Sequence, residues 1–425
     1  MFKERKLGRL LVVTALLLAA SPALAAFGNG IRVGGADGRL HPFVELELRY
    51  DSNVAVYFDP AGNSSDLMLH VRPGILLTVP GETVALDLKA RLDLVKYFGI
   101  DNPASKDLTG LYADVSLGVG FNRKGQVGLE LDEKFVRSNQ PTAYSVASGI
   151  ISNFNDVSVS VPWRPGGGAL TTTLSGDWTL ESYDAFKPGQ YCAATGAAGN
   201  PYCNPAYLSD LGYNNFGAGL GLNWKFLPKT AALLDLSWFD RLPNSTVYSV
   251  GGSGMRAQAG ISGLVTSHLA ATLKGGYATT LKLKLDPPAS PPSNFSTWLA
   301  TASVEWIPSS FSTLKLSANH DLGFDPGTTW ALYAISHVSL EGKSKLNGIL
   351  SAGLLLDFAQ LEYRDAATTT SRILTARPSI QAELNRWLVL ELAYQYTNRD
   401  TDLAAPPPGW KYDRQEVWLR GVVTY

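Results

Sequence analysis

The sequence predicts an all-β fold, a transmembrane outer-membrane antiparallel β-barrel of about 18 strands with both termini on the periplasmic side. Three observations lead there. First, the closing residues Val417-Trp418-Leu419-Arg420-Gly421-Val422-Val423-Thr424-Tyr425 place apolar or small residues at every second position and stop on an aromatic. A strand that spans a membrane needs this two-residue alternation, with Val417, Leu419, Gly421, Val423 and Tyr425 toward lipid and Glu416, Trp418 and Arg420 inward. Second, no apolar run after Ala20 approaches the roughly 18 residues a membrane helix requires, yet the chain carries 10 Trp, 18 Tyr and 41 Gly. A closed barrel reconciles the two, because every backbone donor and acceptor pairs with a neighbouring strand and no edge faces hydrocarbon. Third, very short connections alternate with longer ones, the asymmetry expected between periplasmic turns and outer loops. A large soluble propeller or β-helix is the competing architecture. No repeat of roughly 20 to 50 residues is visible to support it.

Residues 1–26 read as a cleaved secretory signal: Lys3, Arg5, Lys6 and Arg9, then an apolar run from Leu10 to Ala20, then Ser21-Pro22-Ala23-Leu24-Ala25-Ala26. Residues 27–425 read as a single barrel domain. The whole chain has 36 basic and 37 acidic residues, and loss of the signal, with its four basic residues and Glu4, leaves a mildly acidic mature protein. Nucleic acid is therefore not expected as a partner, whereas outer-membrane lipid is.

The short turns can be counted. They fall at Pro80-Gly81-Glu82, Asn122-Arg123-Lys124-Gly125, Arg164-Pro165-Gly166-Gly167, Leu227-Pro228-Lys229, Thr266-Ser267, Pro308-Ser309-Ser310, Glu341-Gly342-Lys343 and Asn385-Arg386, each rich in residues that tolerate tight reversals. The longer connections are expected at 51–64, 99–107, 138–151, 185–208, 242–252, 286–294, 324–329, 363–369 and 400–411. Eight hairpins with a strand at each end make about 18 strands, and a slip of one hairpin makes 16 or 20. Closure at 18 gives a backbone diameter of about 35 Å, wide enough for an aqueous lumen unless loops fill it. With the first strand beginning near His41 and the last ending the chain, no accessory plug or periplasmic module is expected. Any gate has to come from a loop folded inward or from a separate partner.

Alternation names the candidate pore-lining residues. These are Glu45, Glu47 and Arg49 on the first strand, His70 and Arg72 on the second, and Asp87, Lys89, Arg91 and Asp93 on the third. Glu130, Asp132 and Lys134 follow on the fifth, then Arg377, Gln381 and Glu383, Glu391 and Gln395, and Glu416 and Arg420 on the last three. Because the barrel closes, they merge into one wall of mixed sign. The facing wall reads as milder, with Tyr213, Asn215, Gly217, Gly219, Gly221 and Asn223 on one strand and Ser158, Ser160, Thr171, Thr173 and Ser175 on others. Balanced charge opposite small polar groups suits a hydrated polar solute held weakly enough to keep moving. The plainer reading is that these charges pair with one another and brace the wall.

Cys192 and Cys203 lie in the longest loop, and in a secreted chain with two cysteines a disulfide is the natural expectation. No metal site, cofactor or catalytic group is expected. His41 and His268 sit near strand starts, His70 faces inward, and His320 and His337 have no Ser or carboxylate at a suggestive spacing; His320 and Asp321 are adjacent strand residues that point to opposite faces. The Gly-x-Gly runs at Gly118 and Gly217 are strand glycines, since no helix follows. Trp224, Trp238, Trp298, Trp306, Phe121, Tyr396 and Tyr425 read as interfacial girdles on the outward face, with Trp418, Tyr97 and Tyr213 as inward aromatics.

The opening segment Phe43-Val44-Glu45-Leu46-Glu47-Leu48-Arg49-Tyr50-Asp51-Ser52-Asn53-Val54, followed by Ser65-Asp66 and Val71-Arg72-Pro73-Gly74-Ile75, resembles the start of the family called putative β-barrel porin 2. Barrels of this type include outer-membrane components of exopolysaccharide export, and an 18-strand plan without a plug looks like the porins of myxobacterial Wzx/Wzy-pathway systems. The resemblance implies a passive conduit for a secreted polysaccharide, working with a periplasmic polysaccharide export protein. The alternative is a general or substrate-selective diffusion porin for small polar solutes. A third possibility is a scaffold whose outer loops bind a partner. The resemblance brings no catalytic residues.

Overall fold

A computed structural model describes residues 28–33, 37–54, 64–101, 103–139, 150–184, 204–245, 250–284, 294–324, 332–363, 369–403 and 410–425. The expected signal, 1–26, and the expected Cys192–Cys203 bond lie outside the described residues. A two-residue strand β1 (Ile31–Arg32) pairs with β2 (Arg39–Asp51). The others are β3 (Asp66–Val79), β4 (Val84–Tyr97), β5 (Gly110–Phe121), β6 (Leu129–Ser138), β7 (Ile151–Trp163), β8 (Leu170–Asp184), β9 (Tyr213–Leu227) and β10 (Thr230–Pro243). They continue as β11 (Gly251–Thr266), β12 (Leu269–Lys284), β13 (Ser296–Ser309), β14 (Ser312–Phe324), β15 (Leu332–Lys345), β16 (Leu350–Tyr363), β17 (Thr369–Asn385), β18 (Leu388–Thr401) and β19 (Tyr412–Thr424).

Strands β2 to β19 each pair antiparallel with the next, and β19 returns to β2 over Glu416–Asp51 through Thr424–Phe43, so an 18-strand barrel closes. Closure leaves no unpaired edge for lipid to desolvate. On β2, Val44, Leu46, Leu48 and Tyr50 are exposed on the outer surface while Phe43, Glu45, Glu47 and Asp51 are buried. On β19 and at Tyr425 just after it, Val417, Leu419, Val423 and Tyr425 are exposed and Glu416, Trp418, Arg420 and Val422 are buried. Such a surface is stable only against acyl chains. Leu92→Arg or Leu419→Arg, each placing a charge on the outer face, is therefore expected to cost about 2–4 kcal/mol near the bilayer midplane, read as an unfolding shift in urea-titrated lipid vesicles. A loss under about 0.5 kcal/mol, the usual bound for a plain surface substitution, would contradict a lipid-facing position.

The short turns lie at the end of the barrel where Gly28 meets Tyr425, called here the terminal end. In the reversal after β5, Asn122 takes φ 47° and its side-chain amide donates to the Val127 carbonyl at 2.6 Å; asparagine adopts this left-handed conformation more easily than most residues. The Asn385 carboxamide oxygen accepts from the backbone N–H of Trp387 and Leu388, fixing the turn after β17. One expected turn is displaced. Glu341-Gly342-Lys343 lies inside β15, and the reversal is at 346–349, where Asn347 accepts from the N–H of Ile349 and Leu350. Glu341 and Lys343 are two apart and both face inward, so a charged pair that reads as a turn is part of the inner wall.

The ladder forks between β13 and β14. Strands β13 and β14 pair only as far as Ala300–His320, whereas β14 and β15 stay paired to Phe324–Leu332. His320 sits in the resulting fork, with Nε2 3.0 Å from Thr297 Oγ1, Nδ1 2.8 Å from Ser336 Oγ, and its ring stacked on Trp298 at 3.8 Å. Past the fork β14 turns across the inner face of its neighbours. Arg256 on β11 donates to Asp321 at 3.1 Å and to the Leu322 carbonyl at 3.0 Å, and Phe324 meets Phe239 of β10 edge-on at 5.6 Å. At about 4.8 Å per strand, β14 and β10 stand roughly 19 Å apart along the wall. They touch because the β14–β15 end has folded into the lumen. Leu322, Leu332 and Ala334 pack there against Phe239, Ala278 and Leu299.

Candidate functional site

The inner wall is built from the bottom of the pleat: every second residue of each strand, set beside its cross-strand partners by register. Glu45, Glu47 and Arg49 face inward from β2, His70 and Arg72 from β3, Asp87, Lys89, Arg91 and Asp93 from β4, and Glu416 and Arg420 from β19. Glu47, 0% exposed, is the hub. It accepts from Arg49 at 2.8 Å, Arg72 at 2.9 Å and Arg420 at 2.7 Å. The pairs extend outward from it. Arg72 reaches Asp93 at 2.9 Å, His70 meets Asp93 at 3.0 Å, and Arg91 bridges Glu45 at 3.5 Å and Asp114 at 3.2 Å, with Lys89 also on Asp114 at 3.2 Å. Arg49 binds Glu416 at 3.1 Å and lies over Trp418, whose indole donates to Glu391 at 3.1 Å.

Arg377, Gln381 and Glu383 share the inner face of β17 with Glu391 and Gln395 opposite on β18, and Gln395 donates to Glu416 at 3.0 Å. Glu130, Asp132 and Lys134 lie on the inner face of β6, facing Ser160, Ser158 and Asp156 of β7. These last three stand apart from the Glu47 hub.

The facing wall is not mild, a correction to the reading from sequence. Asp156, Asp177, Glu181, Asp235, Arg241, Arg256 and Lys274 also face inward. Lys274 pairs with Asp235 at 2.6 Å and Arg256 with Asp321 at 3.1 Å. The signal was present: Asp235 stands between Leu234 and Leu236, and Lys274 follows Leu273, the alternation used elsewhere. The histidines change too. Spacing along the chain gave His337 no carboxylate and His70 only an inward face, but register supplies a partner from a neighbouring strand, Asp93 to His70 and Asp357 to His337 at 2.6 Å. Among the described residues no group of three or more His, Cys, Asp and Glu could hold a metal.

Exposure of the inner wall differs from side to side as well as along the barrel. Toward the terminal end Asp87, Thr313 and Glu341 are exposed and Lys315 and Lys343 half-exposed, whereas Phe43, Ala85, Val389, Val422 and Thr424, which also face inward there, are buried. At the long-loop end the wall is sealed. Tyr97, Leu108, Tyr112, Ile150, Tyr183, Leu208, Leu211, Tyr333, Leu361, Tyr363 and Trp410 form one cluster, none more than 5% exposed. Inner-wall side chains of an open bore would touch water. Their burial means that apolar groups pack over this part of the inner wall.

The chain belongs to the family described as putative beta-barrel porin 2, whose profile matches residues 27–423. It is thus an integral outer-membrane β-barrel of porin type. Solved structures with a similar outline include OpdK of Pseudomonas aeruginosa with vanillate, at 11% identity over 91% of this chain and 98% of that one, TM-score 0.44. OccAB3 of Acinetobacter baumannii is similar at 9% identity over 92% and 99%, TM-score 0.46. The siderophore receptor PirA of Pseudomonas aeruginosa is similar at 9% identity over 91% and 80%, TM-score 0.44. No protein with a curated function matches the chain.

Proposed function

We propose that the barrel is a selective diffusion pore for small polar solutes, with the termini and short turns in the periplasm and the long loops outward. The observation that carries this reading is a mixed-charge inner wall that is partly wet at one end and covered by apolar groups at the other. Asp87, Lys315, Glu341 and Lys343 reach water toward the terminal end, while the Glu47 hub and the apolar cluster at the long-loop end are buried. Mixed charges in series attract a polar solute without holding it at one place, the condition for flux. The pore-lining role assigned to Glu45 through Arg420 belongs to this reading, and so does an absence of catalysis.

Export of a polysaccharide, with a periplasmic export protein docked at the short-turn end, is the second reading. It draws on the resemblance of Phe43 to Ile75 and on family membership. A bulky hydrated polymer needs a wide continuous bore, so the packed long-loop end favours small solutes first. Purified barrel in liposomes is expected to pass small sugars and amino acids, measured by osmotic swelling, and deletion of the gene to leave surface polysaccharide unchanged. Loss of surface polysaccharide with no swelling activity would reverse the order of the two readings.

A further inference from the structure

The inner-wall arginines Arg49, Arg72, Arg91, Arg256, Arg414 and Arg420 each hold a carboxylate. Arg241 on β10 does not. It is 6% exposed, no described carboxylate lies within ion-pair distance, and its Nε and Nη2 have no hydrogen-bond partner. These two atoms form one edge of the guanidinium, the planar fork that takes a carboxylate through two parallel bonds. The protein uses that same edge elsewhere: Arg414 grips Asp51 through Nε at 3.0 Å and Nη2 at 2.5 Å. One face of Arg241 rests on the Tyr213 ring at 3.5 Å, and Tyr213 donates to Glu181 at 2.8 Å, which also accepts from Ser152. Glu181 thus accepts from two hydroxyls. Phe324, on the end of β14 that folds into the lumen, lies 5.6 Å from the guanidinium and against Phe239.

We propose that Arg241 is the recognition site for the carboxylate of an organic acid carried through the pore, with the acid's apolar body against Phe239 in the place Phe324 now fills. The inference rests on the pore reading above and names its substrate class. A buried guanidinium with an unmet fork is costly to keep, and a solute carboxylate removes that cost only when Phe324 withdraws. Binding and opening are therefore linked, because the ligand binds one of the two states better. An apolar pocket with one fork favours a monoanion with a hydrophobic body over a multiply charged ion, which would arrive with charge left unpaired.

The test is calorimetric titration of the purified barrel in detergent with benzoate, and with benzamide as its neutral match. Benzoate should bind and benzamide should not. Arg241→Lys, which keeps the charge and loses the fork, should weaken benzoate at least about tenfold, roughly the loss of one charge-assisted bond. Phe324→Ala, which uncovers the fork, should tighten it. Equal affinity in Arg241→Gln, or benzamide binding as well as benzoate, overturns the assignment, and so does an unchanged or weaker affinity in Phe324→Ala. Heat-shifted migration of the barrel on gels checks that each variant is folded. If small-solute swelling persists in liposomes while benzoate fails to bind, the Arg241 site falls alone. If swelling itself is absent, the pore reading falls.

Discussion

Asp321→Ala combined with Phe324→Ala is expected to raise the conductance of the barrel in planar bilayers several-fold and to shorten its closed intervals. Besides its ladder to β15, the inward end of β14 is held by the two Arg256 hydrogen bonds, the Phe239–Phe324 edge, the Arg241–Phe324 contact and the packing of Leu322, Leu332 and Ala334. It has no ladder to β13 beyond His320. The paired substitution removes a charge-assisted bond and an aromatic anchor together, leaving an end that water can displace from a lumen otherwise about 35 Å across its backbone. The converse experiment joins the same two elements. Phe239→Cys with Phe324→Cys is expected to lower conductance on oxidation and to recover it on reduction. Conductance unchanged by both manipulations would mean that the folded-in end does not obstruct the path.

The largest stability loss is expected at Glu47. Its carboxylate is fully buried and answers Arg49, Arg72 and Arg420 from three strands, including the β19–β2 seam that closes the barrel. Glu47→Ala leaves three guanidinium groups facing one another in a closed space, and breaking a buried pair in this way costs about 3–5 kcal/mol. Glu47→Gln keeps the size and one acceptor and should lose less. The measurement is the urea midpoint of the barrel refolded into lipid vesicles. A shift below about 1 kcal/mol for Glu47→Ala, the range of an exposed pair, would mean that water reaches the hub and screens it.

Much of this architecture was legible because a barrel writes its two solvents into alternate residues. Leu46, Leu48, Leu92, Leu419 and Val423 lie outside and Glu47, Asp93 and Arg420 inside, as parity dictates. Parity names a face and leaves the partner unnamed. Asp93 for His70 and Asp357 for His337 come from register, which separates them by 23 and 20 positions in the chain. Parity also fails where a strand is buried on both faces. Leu332-Tyr333-Ala334-Ile335 is a continuous apolar run in which all four residues are buried, Tyr333 and Ile335 in the larger cluster and Leu332 and Ala334 against Phe239 and Leu299. Such a run is the signature of a segment between two layers, so the inward fold of the β14–β15 end had a trace in the sequence. The fork at His320 had none, since it arises from where one ladder stops.

The most direct test of a wet interior that opens at the terminal end and is shut at the other is cysteine accessibility along β4. Single cysteines at Asp87, Leu88, Leu92 and Tyr97 are read with a membrane-impermeant thiol reagent on lipid-embedded barrel, against the parent chain as baseline. The cysteine at Asp87 should react quickly. Those at Leu88 and Leu92 should stay silent until detergent strips the lipid, and that at Tyr97 should react slowly although it shares the inner face with Asp87. Leu92 reacting as fast as Asp87 would contradict the barrel's inside and outside, and Tyr97 reacting as fast as Asp87 would contradict its closed end.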